Sequence, residues 1–133
     1  MTVEKQVINP WSWQDRFGFV QANKVTGAEQ VLYCAGQTSV DGDGKPLHVG
    51  QMQDQALQAI DNLETVLRAA GFELADIVRL TTYVTDVDAY RQAAPAVGAR
   101  LGQAGVKPAA SLIGVARLAL PELLVEVEAT AAK

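Results

Sequence analysis

The side chains able to do chemistry are few, and they include two acids two residues apart, Glu126 and Glu128, within Leu123-Leu124-Val125-Glu126-Val127-Glu128-Ala129. Alternate residues of an extended chain share a face, so a strand here turns both carboxylates the same way. A carboxylate can orient a water against an electrophilic carbon and accept the proton released on attack, a role open to Glu126. The plainer reading, a charge on the solvated face of an antiparallel strand, stays open for Glu126 and suits Glu128 better. Arg79 is either a solvated strand arginine or a clamp, since the planar guanidinium fork matches a carboxylate. Arg16 and Arg117 are open to the same two readings. His48 follows a turn without a Cys or Asp partner and reads as a surface residue. Cys34 lies in an apolar stretch with nothing nearby to lower its pKa, so it reads as a small buried thiol and not a nucleophile. No Cys/His cluster with zinc spacing is present, and the proposed water chemistry calls for neither a metal nor an organic cofactor.

The elements that must position these groups are legible in outline. Val3 to Ile8 is a short strand candidate stopped by Asn9-Pro10. Phe17-Gly18-Phe19-Val20-Gln21-Ala22 and Val31-Leu32-Tyr33-Cys34-Ala35-Gly36 suggest an opening antiparallel pair joined through Thr26-Gly27-Ala28. Asp41-Gly42-Asp43-Gly44-Lys45-Pro46 is a dense turn signal, and its glycines lack the spacing of a phosphate-binding loop. From Gln51 to Ala70, Met52, Ala56, Ile60, Leu63, Leu67 and Ala70 recur at helical spacing, widened by Leu57 and Val66, with Gly71 as the stop.

Ile77 to Val84 alternates as a strand, with Val78, Leu80, Thr82 and Val84 the better core face. A second helix is expected over about Asp88 to Leu101, with Tyr90, Ala94, Val97 and Leu101 on one side. Pro95 predicts a kink or a late start, because an interior proline removes a backbone donor. Two strands close the chain, Ala110–Leu118 and Leu123–Ala131, the latter turning Leu123, Val125, Val127 and Ala129 one way and Leu124, Glu126, Glu128 and Thr130 the other. The order βββαβαββ or ββαβαββ predicts an α+β layer, a mixed sheet with both helices on one face.

Length and charge bound the function. The 133 residues fit one domain spanning 1–133, and 49% hydrophobic with 20% charged residues supply an ordinary globular core. A net charge of −4 lacks the basic footprint of a nucleic-acid binder. The single cysteine cannot form an intrachain disulfide. No stretch approaches the ~20 apolar residues that cross a bilayer, so the expectation is a soluble, cytoplasmic protein without membrane or nucleic-acid partners.

Four segments carry a resemblance that covers almost the whole chain. They are Phe17–Ala22, Ala35-Gly36-Gln37, Asp76-Ile77-Val78-Arg79-Leu80-Thr81-Thr82, and Lys107-Pro108-Ala109-Ala110-Ser111-Leu112-Ile113-Gly114-Val115 followed by Leu124 to Ala129. In this order and spacing they resemble the Rid (RidA/YjgF) family of reactive-intermediate deaminases, historically described as translation-inhibiting endoribonucleases. The resemblance implies a chorismate-mutase-like fold, a homotrimer, and ligand clefts between subunits that take a small-molecule metabolite. It makes Glu126 the water-orienting glutamate, although the connection from Ala110 is one residue longer than in many members, and Gly36 the loop glycine lining the cleft. Phe19 stands where the family has tyrosine, Arg79 where lysine is common, and Ala94 near a frequent asparagine.

The clamp position itself is Ala110, where the family's signature has arginine. The resemblance therefore implies an imine or enamine hydrolase poor on 2-imino acids and more tolerant of neutral or aromatic substrates. A non-catalytic ligand-binding member is the alternative, and ribonuclease a third that the acidic balance disfavours. Trp11, Trp13 and Phe19 serve either ordinary packing or the apolar wall of an interfacial pocket. The face holding Leu124, Glu126 and Thr130 is too mixed in polarity for an internal core, but suits a partner-facing surface around a wet site.

Overall fold

The computed structural model describes residues 2–133. The elements are β1 (Glu4–Ile8), a 3-10 turn (Asp15–Phe17), β2 (Ala22–Thr26), β3 (Val31–Tyr33), β4 (Gln37–Thr38), α1 (Met52–Ala69), a second 3-10 turn (Leu74–Asp76), β5 (Ile77–Val84), α2 (Val87–Gln103), β6 (Ala109–Gly114) and β7 (Val125–Ala132). The main sheet runs β3-β7-β5-β6, with β4 also on β7. β5 pairs parallel to β6 through the α2 crossover and antiparallel to β7. The architecture is the expected α+β one, a mixed sheet with two helices.

The helical stripe of α1 buries Ala56, Ala59, Ile60, Leu63 and Leu67 against Val125, Val127, Ala129 and Ala131 of β7 and Ile77, Leu80 and Val84 of β5. Each fully buried Leu or Ile contributes about 1.5–3 kcal/mol relative to exposure, so this layer fixes the sheet. Gly71 ends α1 at φ 79°, with Phe72 N–H donating to Leu67 C=O at 2.8 Å and Gly71 N–H to Arg68 C=O at 3.0 Å. That paired closure of the last turn is why the glycine stops the helix. Asp86 caps α2 by accepting from the Ala89 N–H at 3.0 Å. Arg100 then ties α2 to Glu64 of α1 at 3.0 Å.

Four local expectations need correction. The opening pair is β1 with β2, Glu4 opposite Thr26 through Ile8 opposite Ala22. β3 instead pairs with β7, because Val31–Tyr33 supplies an edge for Ala132–Thr130. In β5 the core set begins with Ile77 and not Val78, since a register irregularity between Ile77 and Arg79 shifts the alternation by one residue. The last two strands are shorter than expected and flank β5 on opposite sides. Finally, α2 starts at Val87, well before Pro95. Pro95 and Arg91 are both exposed, so the carbonyl the proline leaves unpaired faces water, which lowers the cost of an interior proline.

Two buried amides set the loops around the sheet. Gln55 is fully buried; its amide donates to Glu122 C=O at 2.8 Å and His48 C=O at 3.3 Å, and its oxygen accepts from Leu124 N–H at 2.8 Å. It thereby fixes where β7 begins. Asn62 donates to Thr38 C=O at 2.8 Å and Val40 C=O at 3.0 Å, holding β4 and the start of the next loop against α1. The Asp41 turn closes on itself, its carboxylate accepting from Asp43 N–H at 2.9 Å and Lys45 N–H at 3.0 Å, as the turn signal predicts. Among the described residues, no helix is long and apolar enough to cross a membrane.

Candidate functional site

The sheet has a covered face and an uncovered one, and the period-two alternation of β7 divides its side chains between them. Val125, Val127, Ala129 and Ala131 go under the helices, while Glu126, Glu128 and Thr130 emerge half-exposed on the far side. Strand pairing places Tyr83 of β5 opposite Glu126, and Thr81 opposite Glu128. The same face shows Ile113 on β6 and Val31 and Tyr33 on β3, all exposed, with Tyr33 80% accessible. Neither helix covers these groups.

An open cavity of about 420 Å³ lies on this face, lined by Gly36, Tyr83, Val115, Arg117, Leu118, Ala119, Glu126 and Glu128. Gly36 permits it. A β-carbon built there would fall 2.1 Å from Glu126 Oε1 and 2.5 Å from its Cδ. The glutamate head thus rests on the bare α-carbon, and glycine is required by close approach, not by backbone conformation. A neighbouring depression of about 670 Å³ shares Arg117, Leu118 and Ala119, and is otherwise lined by Thr85, Ala116, Leu120, Pro121, Leu123 and Leu124. It is the larger of the two but holds no acid, so the general-base chemistry belongs to the first.

The Tyr83 hydroxyl donates a short hydrogen bond to Glu128 Oε1. That bond, then desolvation and the charges of Glu128 and Glu126, pushes the phenol above its ordinary 10.0, against the opposing pull of Arg79. Arg79 lies on the same face, is exposed and donates to Ser111 Oγ at 3.2 Å. It does not line the cavity. The guanidinium that does is Arg117, from the segment after β6.

The residues singled out from the sequence separate accordingly. Gly36 and Glu126 come together. Arg79 stands apart, engaged with β6. Ala110 pairs with Leu80, and Leu80 with Ala129, so its side chain shares the helix-covered face and not that of Glu126. Phe19 meets Trp13 edge-on at 5.9 Å between ring centroids, beside Val20, which bridges to Ala109 at the β6 edge. One protomer therefore holds Glu126 and the Ala110–Phe19 region on different faces. Trp11, Trp13 and Phe17 are exposed, with Arg16 stacked 4.7 Å from the Phe17 ring centroid.

Cys34 is buried, and burial raises its thiol pKa, which keeps it protonated and unreactive. His48 is exposed at φ 55°, engaged through its backbone carbonyl. No group of three potential metal ligands occurs among the described residues. Of the polar lining residues, Tyr83 is the one the sequence leaves without a functional reading, and Arg117 has there only the open choice between solvated arginine and clamp. Alternation puts Tyr83 on the outer face, but only the β5–β7 register puts it beside Glu126.

Residues 15–133 match the family model described as endoribonuclease L-PSP. A RutC family protein of Pyrococcus horikoshii is 31% identical over 106 residues, 80% of this chain and 82% of that one. The 2-iminobutanoate/2-iminopropanoate deaminase of Rattus norvegicus is 30% identical over 60 residues, 45% of this chain and 44% of its own. Among solved structures, a Rid-family protein of unknown function from Yersinia pestis superposes with a TM-score of 0.85 at 38% identity, covering 97% of this chain and 98% of its own.

Proposed function

The chain belongs to the endoribonuclease L-PSP family, that is, the RidA/YjgF family, and from this membership we propose a cytoplasmic homotrimer that binds a small metabolite in clefts between subunits and hydrolyses an imine or enamine there. The observation that carries the reading is the Glu126 carboxylate seated on Gly36 at the wall of a cavity. Glu126 orients the water and takes its proton as oxygen bonds to the electrophilic carbon and the C=N π pair moves onto nitrogen; it returns that proton to the nitrogen, and the carbinolamine collapses as its hydroxyl proton passes to the departing nitrogen, the C–N bond breaks, and ammonia and a carbonyl product leave. Self-association is supported by the uncovered sheet face with Val31, Tyr33 and Ile113 exposed around the site. It also reconciles the separation of Ala110 and Phe19 from Glu126, since a second subunit can bring its own Ala110 edge to the first subunit's glutamate.

The deaminase relative is named for 2-imino acids, whereas Ala110 gives this chain a methyl group where that chemistry wants a guanidinium. The cavity compounds this, with two carboxylates and one guanidinium in its lining. A carboxylate ligand meets net negative charge there, so the substrate we assign is a neutral or cationic imine or enamine. The missing clamp also favours a second reading, a member that retains the cleft to bind a ligand without turnover.

The experiment is to generate matched imines in situ, one neutral and one carrying an α-carboxylate, and to follow their decay with and without protein. Faster decay of the neutral imine supports the proposal. Saturable binding with no acceleration of either establishes the second reading, and preferred hydrolysis of the acid overturns the substrate assignment.

A further inference from the structure

Resting on the reading of this cavity as the ligand site, we propose that Glu128 fixes the Tyr83 hydroxyl as a hydrogen-bond acceptor, so that Tyr83 selects ligands presenting an N–H to the β5–β7 wall while Arg117, from the segment after β6, takes a carbonyl oxygen. The argument is proton counting. An ionised carboxylate has no hydrogen to give, so in the Tyr83–Glu128 pair the phenol must donate. A phenol has one hydrogen, and once it is committed only lone pairs face the cavity.

The remaining wall has the same polarity. Glu126 accepts only, and so does the free capacity of Glu128. Tyr83 stands directly across from Glu126 in the strand register, so an N–H group at this wall finds acceptors on both strands. Arg117, in contrast, can only donate, and it comes from the segment after β6, not from β5 or β7. The resulting pattern, acceptors on the sheet and a donor on the loop, matches a small neutral molecule carrying an N–H and a carbonyl oxygen. The elevated phenol pKa agrees, because a proton shared with a carboxylate is hard to remove.

The test uses 2-pyrrolidone, which has both groups, and N-methyl-2-pyrrolidone, which lacks only the N–H. Affinities are measured by NMR titration on the intact protein, with thermal unfolding recorded for each variant. The parent is expected to prefer 2-pyrrolidone by about fivefold or more, in keeping with one hydrogen bond to a polarised acceptor. Tyr83→Phe removes one of these acceptors and should lower the ratio by severalfold at an unchanged melting temperature. Because methylation also adds bulk, the change in ratio between parent and variant is the informative quantity.

Arg117→Met should weaken both probes alike and leave the ratio intact. Glu128→Leu removes the phenol's acceptor and frees its hydrogen, so the ratio should shrink with Tyr83 still present, the outcome that a purely packing role for Tyr83 does not give. A preference undiminished by Tyr83→Phe, or no binding of either probe at the cavity resonances, overturns the proposal. Neither result touches the assignment of Glu126 as the water-orienting group, which stands or falls on turnover.

Discussion

Gly36→Ala separates the positioning of Glu126 from the stability of the fold. The new β-carbon would start 2.1 Å from Glu126 Oε1, 2.5 Å from Cδ and 2.9 Å from Cγ. Ordinary contact begins near 3.4 Å, so the carboxylate must retreat by more than about 1 Å, a displacement on the scale that can cost about 100-fold in rate. The atoms that give way are the far end of a flexible side chain, so the backbone has no reason to move. Gly36 has no positive φ, and replacing such a glycine by alanine removes unfolded-state entropy worth about 0.4–1 kcal/mol. The expected result is a melting temperature unchanged or slightly raised, with imine hydrolysis reduced by about two decades and the Glu126 carboxyl carbon resonance shifted. The assay pairs thermal unfolding with initial rates on a neutral imine. Full activity in a folded Gly36→Ala protein would refute the account of this contact, as would loss of activity by unfolding alone.

Ala110→Arg should improve binding of 2-iminopropionate by about one to two decades, the worth of ~1.5–3 kcal/mol for a hydrogen-bonded charge, with little gain in turnover; stopped-flow decay to pyruvate checks this. Rapid hydrolysis by the unaltered protein would instead identify another cation as the clamp, with cavity-lining Arg117 ahead of Arg79. Gln55→Leu strands the Leu124 N–H and Glu122 C=O and should cost about 2–6 kcal/mol in denaturant unfolding, at about 1–3 kcal/mol per orphaned group. Glu128→Leu removes the hydrogen-bond acceptor that is the largest cause of the Tyr83 shift, and its charge with it. The parent phenol should therefore ionise above 10.0, and the variant's at lower pH, by absorbance near the phenolate band. For the parent, any stability from this proton is whole below pH 10.0 and lost as pH rises through the folded pKa.

Much of the architecture is legible in the residues. The three-and-four spacing of Ile60, Leu63 and Leu67 and the alternation of Val125 to Ala131 follow from burial on one face, a local pattern a single sequence displays. Gly36 and Glu126 are legible through motif. Their contact is not, since it depends on a loop returning across β7. Tyr83 and Arg117 escape detection as a pair for the same reason. Pairing register joins residues far apart in the chain, and β5 carries an irregularity near Ile77 that no periodicity reveals. The placement of β3 on β7 is likewise a long-range choice between edges that Val31-Leu32-Tyr33 satisfies equally well by composition.

The central claim is that Glu126 orients and deprotonates the attacking water, and it is tested most directly by the hydrolysis rate of a neutral imine with the parent and Glu126→Gln at equal folded concentration. The account predicts that the amide variant keeps its melting temperature and assembly and retains no rate above the uncatalysed reaction. Parental turnover undiminished in Glu126→Gln would contradict it.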